Sequence, residues 1–205
     1  MKKEKLFNTR SIAVIGVLGA LSGLLMLVLE VPLLFVAPEF YKLDFSEVPV
    51  LIGTFALGPA AGVVIEIVKL LIKLMFRPST TGYVGELANL IIGCAMLLPA
   101  GLIYQAKKTK KRAMAGLAAG TVSMVAAGTA VNALVLLPFY GTVMPMDKII
   151  AAGSAIFPAV HSVWTFALWC VAPFNLIKGA VISLLTALLY KRISRVIKEF
   201  GRKKE

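Results

Sequence analysis

Residues 11–29 read SIAVIGVLGALSGLLMLVL, running from Ser11 to Leu29 without a charged side chain. A helix needs roughly 20 apolar residues to cross a bilayer, so this run is long enough for a first span, about residues 8–29. The basic residues before it, Lys2, Lys3, Lys5 and Arg10, give it the look of a secretory signal. The run nevertheless exceeds an h-region of about 7–15 residues, and no small-x-small cleavage site precedes Glu30. It reads as a retained span.

Working outward, apolar runs recur with short polar breaks. They predict an all-α integral membrane protein with six transmembrane helices, over 8–29, 47–57, 60–76, 83–104, 113–137 and 174–190, in a single membrane domain spanning 1–205. Gly58-Pro59 marks a tight turn between the second and third spans. Two long outer loops are expected, 30–46 and 140–173. The second holds Pro145, Asp147, Pro158, His161, Trp164 and Trp169. It is compatible with a loop carrying a re-entrant or amphipathic helix, or with a further span.

Composition supports the class. Hydrophobic residues make up 59% of the chain and charged residues 16%, against about a half and about a quarter in an average soluble domain. A soluble enzyme is excluded on that ground. The formal net charge is +12, which could suggest nucleic acid, but the basic residues crowd at the two ends and in Lys107–Arg112 rather than along one folded surface. The segregation follows the positive-inside rule, with some attraction to anionic lipid. Six spans put all three basic clusters on one side, so both termini are expected in the cytoplasm. Glu30, Glu39, Asp44, Glu47 and Asp147 fall on the other side. A seventh span would place the C-terminal cluster opposite the other two.

Motifs for other chemistries are absent. There is no GxxxxGK[ST] phosphate loop, no HExxH and no GxSxG. Cys94 and Cys170 sit in apolar runs and read as small buried hydrophobes. No catalytic residue, metal ligand or cofactor is expected. His161 and Ser154 leave open a small intramembrane enzyme, though His161 beside Trp164 reads more simply as a packing residue in a loop.

Ionisable and amide side chains inside a span are costly and generally face a cavity or a partner. Glu86 and Asn89 fall in the first turns of the fourth span, Asn132 near the outer end of the fifth, and Asn175 and Lys178 in the first turns of the sixth. Spacings of three put Glu86 with Asn89, and Asn175 with Lys178, on shared helix faces. Amides and charges at one depth on three spans predict an outward-opening pocket for a ligand edge rich in carbonyls, ring nitrogens or hydroxyls. Each residue alone could instead make an interhelical hydrogen bond. On the third span, Glu66 is expected to pair with Lys69, and Lys73 to snorkel outward. On the first, Gly16-x-x-x-Ala20 and Gly19-x-x-x-Gly23 permit close approach of another helix.

Three stretches carry a family resemblance. Lys42-Leu-Asp44-Phe-Ser-Glu47-Val-Pro-Val-Leu-Ile-Gly53 resembles the first-loop signature of the substrate-binding S components of energy-coupling factor (ECF) vitamin transporters. Thr80-Thr-Gly-Tyr-Val-Gly-Glu86-Leu-Ala-Asn89 and Ala172-Pro-Phe-Asn175-Leu-Ile-Lys178-Gly179 resemble the riboflavin-specific members. The likeness covers most of the chain. It implies a six-helix subunit of the bacterial plasma membrane that captures riboflavin, as transported ligand rather than cofactor, at the extracellular face. It also implies a transmembrane coupling subunit and two cytoplasmic ATPases as partners, and no nucleic acid. Asn132, Asn175 and Lys178 match the residues that bind the flavin's polar edge in those members, and Leu43, Asp44 and Phe45 would form or cover the site. The family's Ala-x-x-x-Ala contact with the coupling subunit matches Gly16 and Ala20. A sister specificity such as thiamine is the alternative within transport. A flavin also needs apolar and aromatic walls, for which Phe40, Tyr41, Phe45, Tyr83 and Trp164 are available.

Overall fold

The computed structural model describes residues 8–199, with side chains to residue 190. Lys2, Lys3, Lys5 and Arg202–Glu205, all expected in the cytoplasm, lie outside the described residues. Helix α1 (Thr9–Val28) starts where the Asn8 side chain accepts a hydrogen bond from the Arg10 backbone N–H at 3.2 Å, the usual role of an N-cap asparagine. Strands β1 (Glu30–Pro32) and β2 (Lys42–Asp44) then pair antiparallel, with Glu30 opposite Asp44. Helix α2 (Glu47–Leu57) and helix α3 (Pro59–Phe76) meet at Gly58, whose φ of 106° suits glycine. Helix α4 (Val84–Ala106) follows a loop that ends in Tyr83, held at φ 68°.

Beyond this point the helices run differently from the sequence expectation. Helix α5 (Lys110–Val131) continues through a π-helical turn (Asn132–Leu136) into α6 (Leu137–Val143). After a short helix α7 (Met146–Ser154), α8 (Val163–Phe166) continues through a second π-turn (Ala167–Val171) into α9 (Ala172–Glu199). Helix therefore extends past Pro138 and begins well before Pro173, which shortens the expected 140–173 loop from both ends. A proline removes one i→i−4 hydrogen bond and crowds the carbonyl four residues earlier. Here the widened turns directly precede the prolines and absorb both effects. Leu137 N–H reaches back to Asn132 O, and Ala172 N–H to Ala167 O. The proline rule that reads Pro138 and Pro173 as boundaries is overridden by this local rewinding.

Among the described residues, four helices are long and apolar enough to cross a membrane: Thr9–Val28, Val84–Ala106, Lys110–Val143 and Val163–Tyr190. The other two helices of the bundle differ. The 11 residues of α2 reach only about 17 Å at about 1.5 Å per residue, short of a hydrocarbon core about 30 Å thick. Helix α3 carries Glu66, Lys69 and Lys73.

Packing is tightest where side chains are smallest. A Cβ added at Gly19 would fall 2.5 Å from Val68 Cγ1, and one at Gly23 would fall 2.7 Å from Ile72 Cγ2, so α1 and α3 meet nearly backbone to side chain. The contact of α4 with α5 is similar, with an added Cβ at Gly120 only 2.5 Å from Met96 O. One apolar core, including Leu18, Leu51, Phe55, Ile65, Met96, Leu117 and Ile182, joins the six helices. A second, including Val36, Leu43, Leu137, Phe166 and Val171, seats the 33–45 loop on one end of the last two rods.

Candidate functional site

A cavity of about 330 Å³ opens between the two cores, within the roughly 300–1,000 Å³ range of small-molecule sites. Its wall takes Asp44 from β2, Glu86 and Asn89 from α4, Asn132 from the first π-turn, and Asn175 and Lys178 from α9. Six of the residues singled out from sequence are thus brought to one space. Leu43 and Phe45 are not on that wall. Leu43 is buried in the second apolar core, and Phe45 packs against that core. Phe40 and Tyr41 line the cavity, together with Ile92, Met124, Leu136 and Phe174, whereas Tyr83 and Trp164 do not.

The π-turns set how the asparagines present themselves. Asn132 Nδ2 donates to Gly128 O at 2.7 Å, and Asn175 Nδ2 donates to Val171 O at 3.0 Å. Each amide spends a donor on the backbone four residues earlier, which fixes the side-chain orientation. Asn132 Oδ1 then accepts from the Tyr41 hydroxyl at 2.6 Å. The Tyr41 ring packs, tilted, 5.6 Å from Phe174 and 4.9 Å from Phe40 between centroids, so the 33–45 loop is held by aromatic contacts as well as by that bond. Burial pushes the Tyr41 hydroxyl well above the ordinary tyrosine range, with Tyr140 and Cys170 adding to the shift, so it stays a donor.

Lys178 Nζ lies 2.7 Å from Asp44 Oδ2, and both side chains are 7% exposed. Asp44 also accepts from the Ser46 backbone N–H at 2.9 Å and from the Ser46 hydroxyl. Burial alone would raise the Asp44 carboxyl. The ammonium groups of Lys178 and Lys69 outweigh it and hold Asp44 well below the usual carboxylate range.

Beneath the wall, Lys69 Nζ is 2.7 Å from Glu47 Oε1 and 2.5 Å from Glu66 Oε1, and all three side chains are at most 3% exposed. Gly93 makes room for this triad, since a Cβ there would fall 2.4 Å from Glu66 Oε1. The expected Glu66–Lys69 pair is present, and Glu47 from α2 completes it. The sequence placed Glu47 in the first-loop signature but did not pair it with Lys69, because it sits at a helix start where an exposed carboxylate is commonplace. Lys73 departs from expectation. It does not snorkel outward but faces the cavity, its Nζ 2.5 Å from Glu86 Oε1. The partner on the neighbouring helix turns it inward.

At the cavity mouth Glu30 bridges Lys42 at 3.0 Å and Arg77 at 2.8 Å. On α1 the two small-residue pairs separate. Gly19 and Gly23 are buried against α3, while Gly16 and Ala20 are exposed, with nothing within 4 Å of a Cβ added at Gly16. His161 is exposed and contributes its backbone N–H to Thr165 Oγ1 at 3.0 Å. Neither His161 nor Ser154 lines the cavity.

The model for the family described as "ECF transporter, substrate-specific component" matches residues 10–190. The riboflavin transporter RibU of Staphylococcus aureus (strain TCH60) is 32% identical over 197 residues, covering 96% of this chain and 97% of that protein. The riboflavin transporter FmnP of Bacillus subtilis (strain 168) is 28% identical over 193 residues, covering 94% and 96%. A solved structure of the S component of a bacterial ECF transporter superposes with a TM-score of 0.69 at 34% identity, over 91% of this chain and 96% of the other. With a bundle of this shape and a polar cavity at one end of it, the chain belongs to the substrate-specific components of ECF transporters, which are transport proteins and not enzymes.

Proposed function

We propose that this chain captures riboflavin at the outer face of a bacterial plasma membrane, for uptake driven by a transmembrane coupling subunit and two cytoplasmic ATPases. The observation that carries the reading is the cavity itself. Asn132, Asn175 and Lys178 converge on it from two different helical rods, beside the apolar walls of Phe40, Met124, Leu136 and Phe174. A flavin is a flat apolar body with one edge of alternating carbonyls and N–H. Asparagine oxygens held by backbone-anchored amides suit the N–H, and the Lys178 ammonium suits a carbonyl.

Relatives named as riboflavin transporters cover nearly the whole chain, which supports riboflavin over thiamine. The orientation follows from charge. Lys107–Arg112 marks the cytoplasmic side, so the cavity, at the opposite end of α4 and α5, faces outward. All six bundle helices are read as lying within the membrane, with α2 and α3 shielded by the four longer ones. The open Gly16–Ala20 face of α1 is the contact with the coupling subunit. Titrating the detergent-solubilised protein with riboflavin and following flavin fluorescence tests the reading. Quenching that saturates at one flavin per chain supports it. Thiamine binding without riboflavin binding overturns it.

A further inference from the structure

Among the described residues, two fully buried side-chain oxygens on the cavity wall have no partner. Glu47 Oε2 and Asn89 Oδ1 are buried acceptors without a hydrogen-bond donor, and both residues line the cavity, Glu47 being 2% exposed. Just beneath, Glu66 Oε2 is in the same state. Lys69 is engaged with Oε1 of both glutamates. A buried acceptor that has left water and found no donor is unfavourable, and native structures seldom keep one without a reason. The two orphaned oxygens on the cavity wall come from α2 and α4, elements other than the π-turn and α9 that carry Asn132, Asn175 and Lys178.

We infer that Glu47 Oε2 and Asn89 Oδ1 form a second subsite that receives hydroxyl donors from a polyhydroxylated chain on the ligand. This rests on the riboflavin reading above, and it assigns the ribityl chain to this wall. A hydroxyl donates one hydrogen and fits a carboxylate or amide oxygen at hydrogen-bond distance. Chains without hydroxyls leave both acceptors orphaned, so the subsite discriminates by the cost of unpaired polar groups, which is the strongest form of small-molecule selectivity.

The test compares riboflavin with lumiflavin, which has the same ring system and a methyl in place of the polyol chain, on the purified full chain. Wild-type protein should prefer riboflavin. Asn89→Ala and Glu47→Gln should each weaken riboflavin binding about ten-fold while moving lumiflavin binding little, so that the preference shrinks. Glu47→Gln also disturbs the Lys69 ion pairs. If that variant fails to fold, Asn89→Ala decides, because no hydrogen bond of the triad involves Asn89. A preference for riboflavin that survives unchanged in folded Asn89→Ala overturns the subsite while leaving riboflavin capture intact. Wild-type protein that binds neither flavin overturns both readings.

Discussion

Lys178 Nζ on α9 sits 2.7 Å from Asp44 Oδ2 on β2, joining residues 134 positions apart and tying the 33–45 loop to the helix that carries the candidate ligand groups. The pair is nearly out of water, where removing one partner strands a charge at a cost of about 3–5 kcal/mol. Asp44→Ala is therefore expected to lower the melting temperature and riboflavin affinity together, and Lys178→Ala to weaken binding by roughly 5- to 150-fold. Fluorescence titration and thermal unfolding of both variants check this. Wild-type affinity in a folded Lys178→Ala protein would remove Lys178 from the site.

The same pair should resist acid. Asp44 has a depressed carboxyl pKa in the folded protein. Its contribution is fully present above the unfolded carboxylate value, about 3.9, and is lost only as pH falls through the lower folded value. Riboflavin affinity should stay flat from about pH 5 to pH 8 as far as Asp44 is concerned. A loss of affinity centred near the ordinary carboxylate range, absent in Asp44→Asn, would contradict the strength of the pair.

Gly128 offers an indirect test of Asn175. A Cβ at Gly128 would fall 2.6 Å from Asn175 Nδ2. Gly128→Ala should push the amide off the Val171 carbonyl and weaken binding about as much as Asn175→Ala, a further 5- to 150-fold range, with the asparagine still in place. Equal affinities for Gly128→Ala and wild type would show that the Asn175 orientation does not matter.

The two stripes on α1 predict opposite phenotypes. Gly19→Leu drives bulk into Val68 and should destabilise the isolated protein by roughly 1–3 kcal/mol or more. Gly16→Leu meets open space. It should leave folding and riboflavin binding near normal and reduce uptake by the assembled transporter. Uptake measured beside binding separates them; normal uptake in Gly16→Leu cells would take the coupling contact off this face.

Topology has its own check. Thr80 is exposed at the cavity end and Lys108 at the other. In a background without Cys94 and Cys170, an impermeant thiol reagent applied to whole cells should label Thr80→Cys and spare Lys108→Cys. The reverse result would turn the cavity toward the cytoplasm.

What the chain alone determined is what depends on composition and local period. The membrane class came from uncharged runs such as Ser11–Leu29, because hydrocarbon excludes charge whatever the tertiary arrangement. The limits of α2 and the turn at Gly58-Pro59 were readable for the same local reasons. Tertiary structure decided the rest. Pro138 and Pro173 lie inside long rods, each shortly after a π-turn, where a proline read from sequence marks a boundary. Lys73 turned inward because Glu86 waits on another helix, which spacing along α3 cannot report. Glu47 joined Lys69 across 22 positions of sequence, since a buried charge is stable only beside its partner. Gly16 and Gly19 look alike in sequence. Only the position of α3 decides which of them is filled and which is left open.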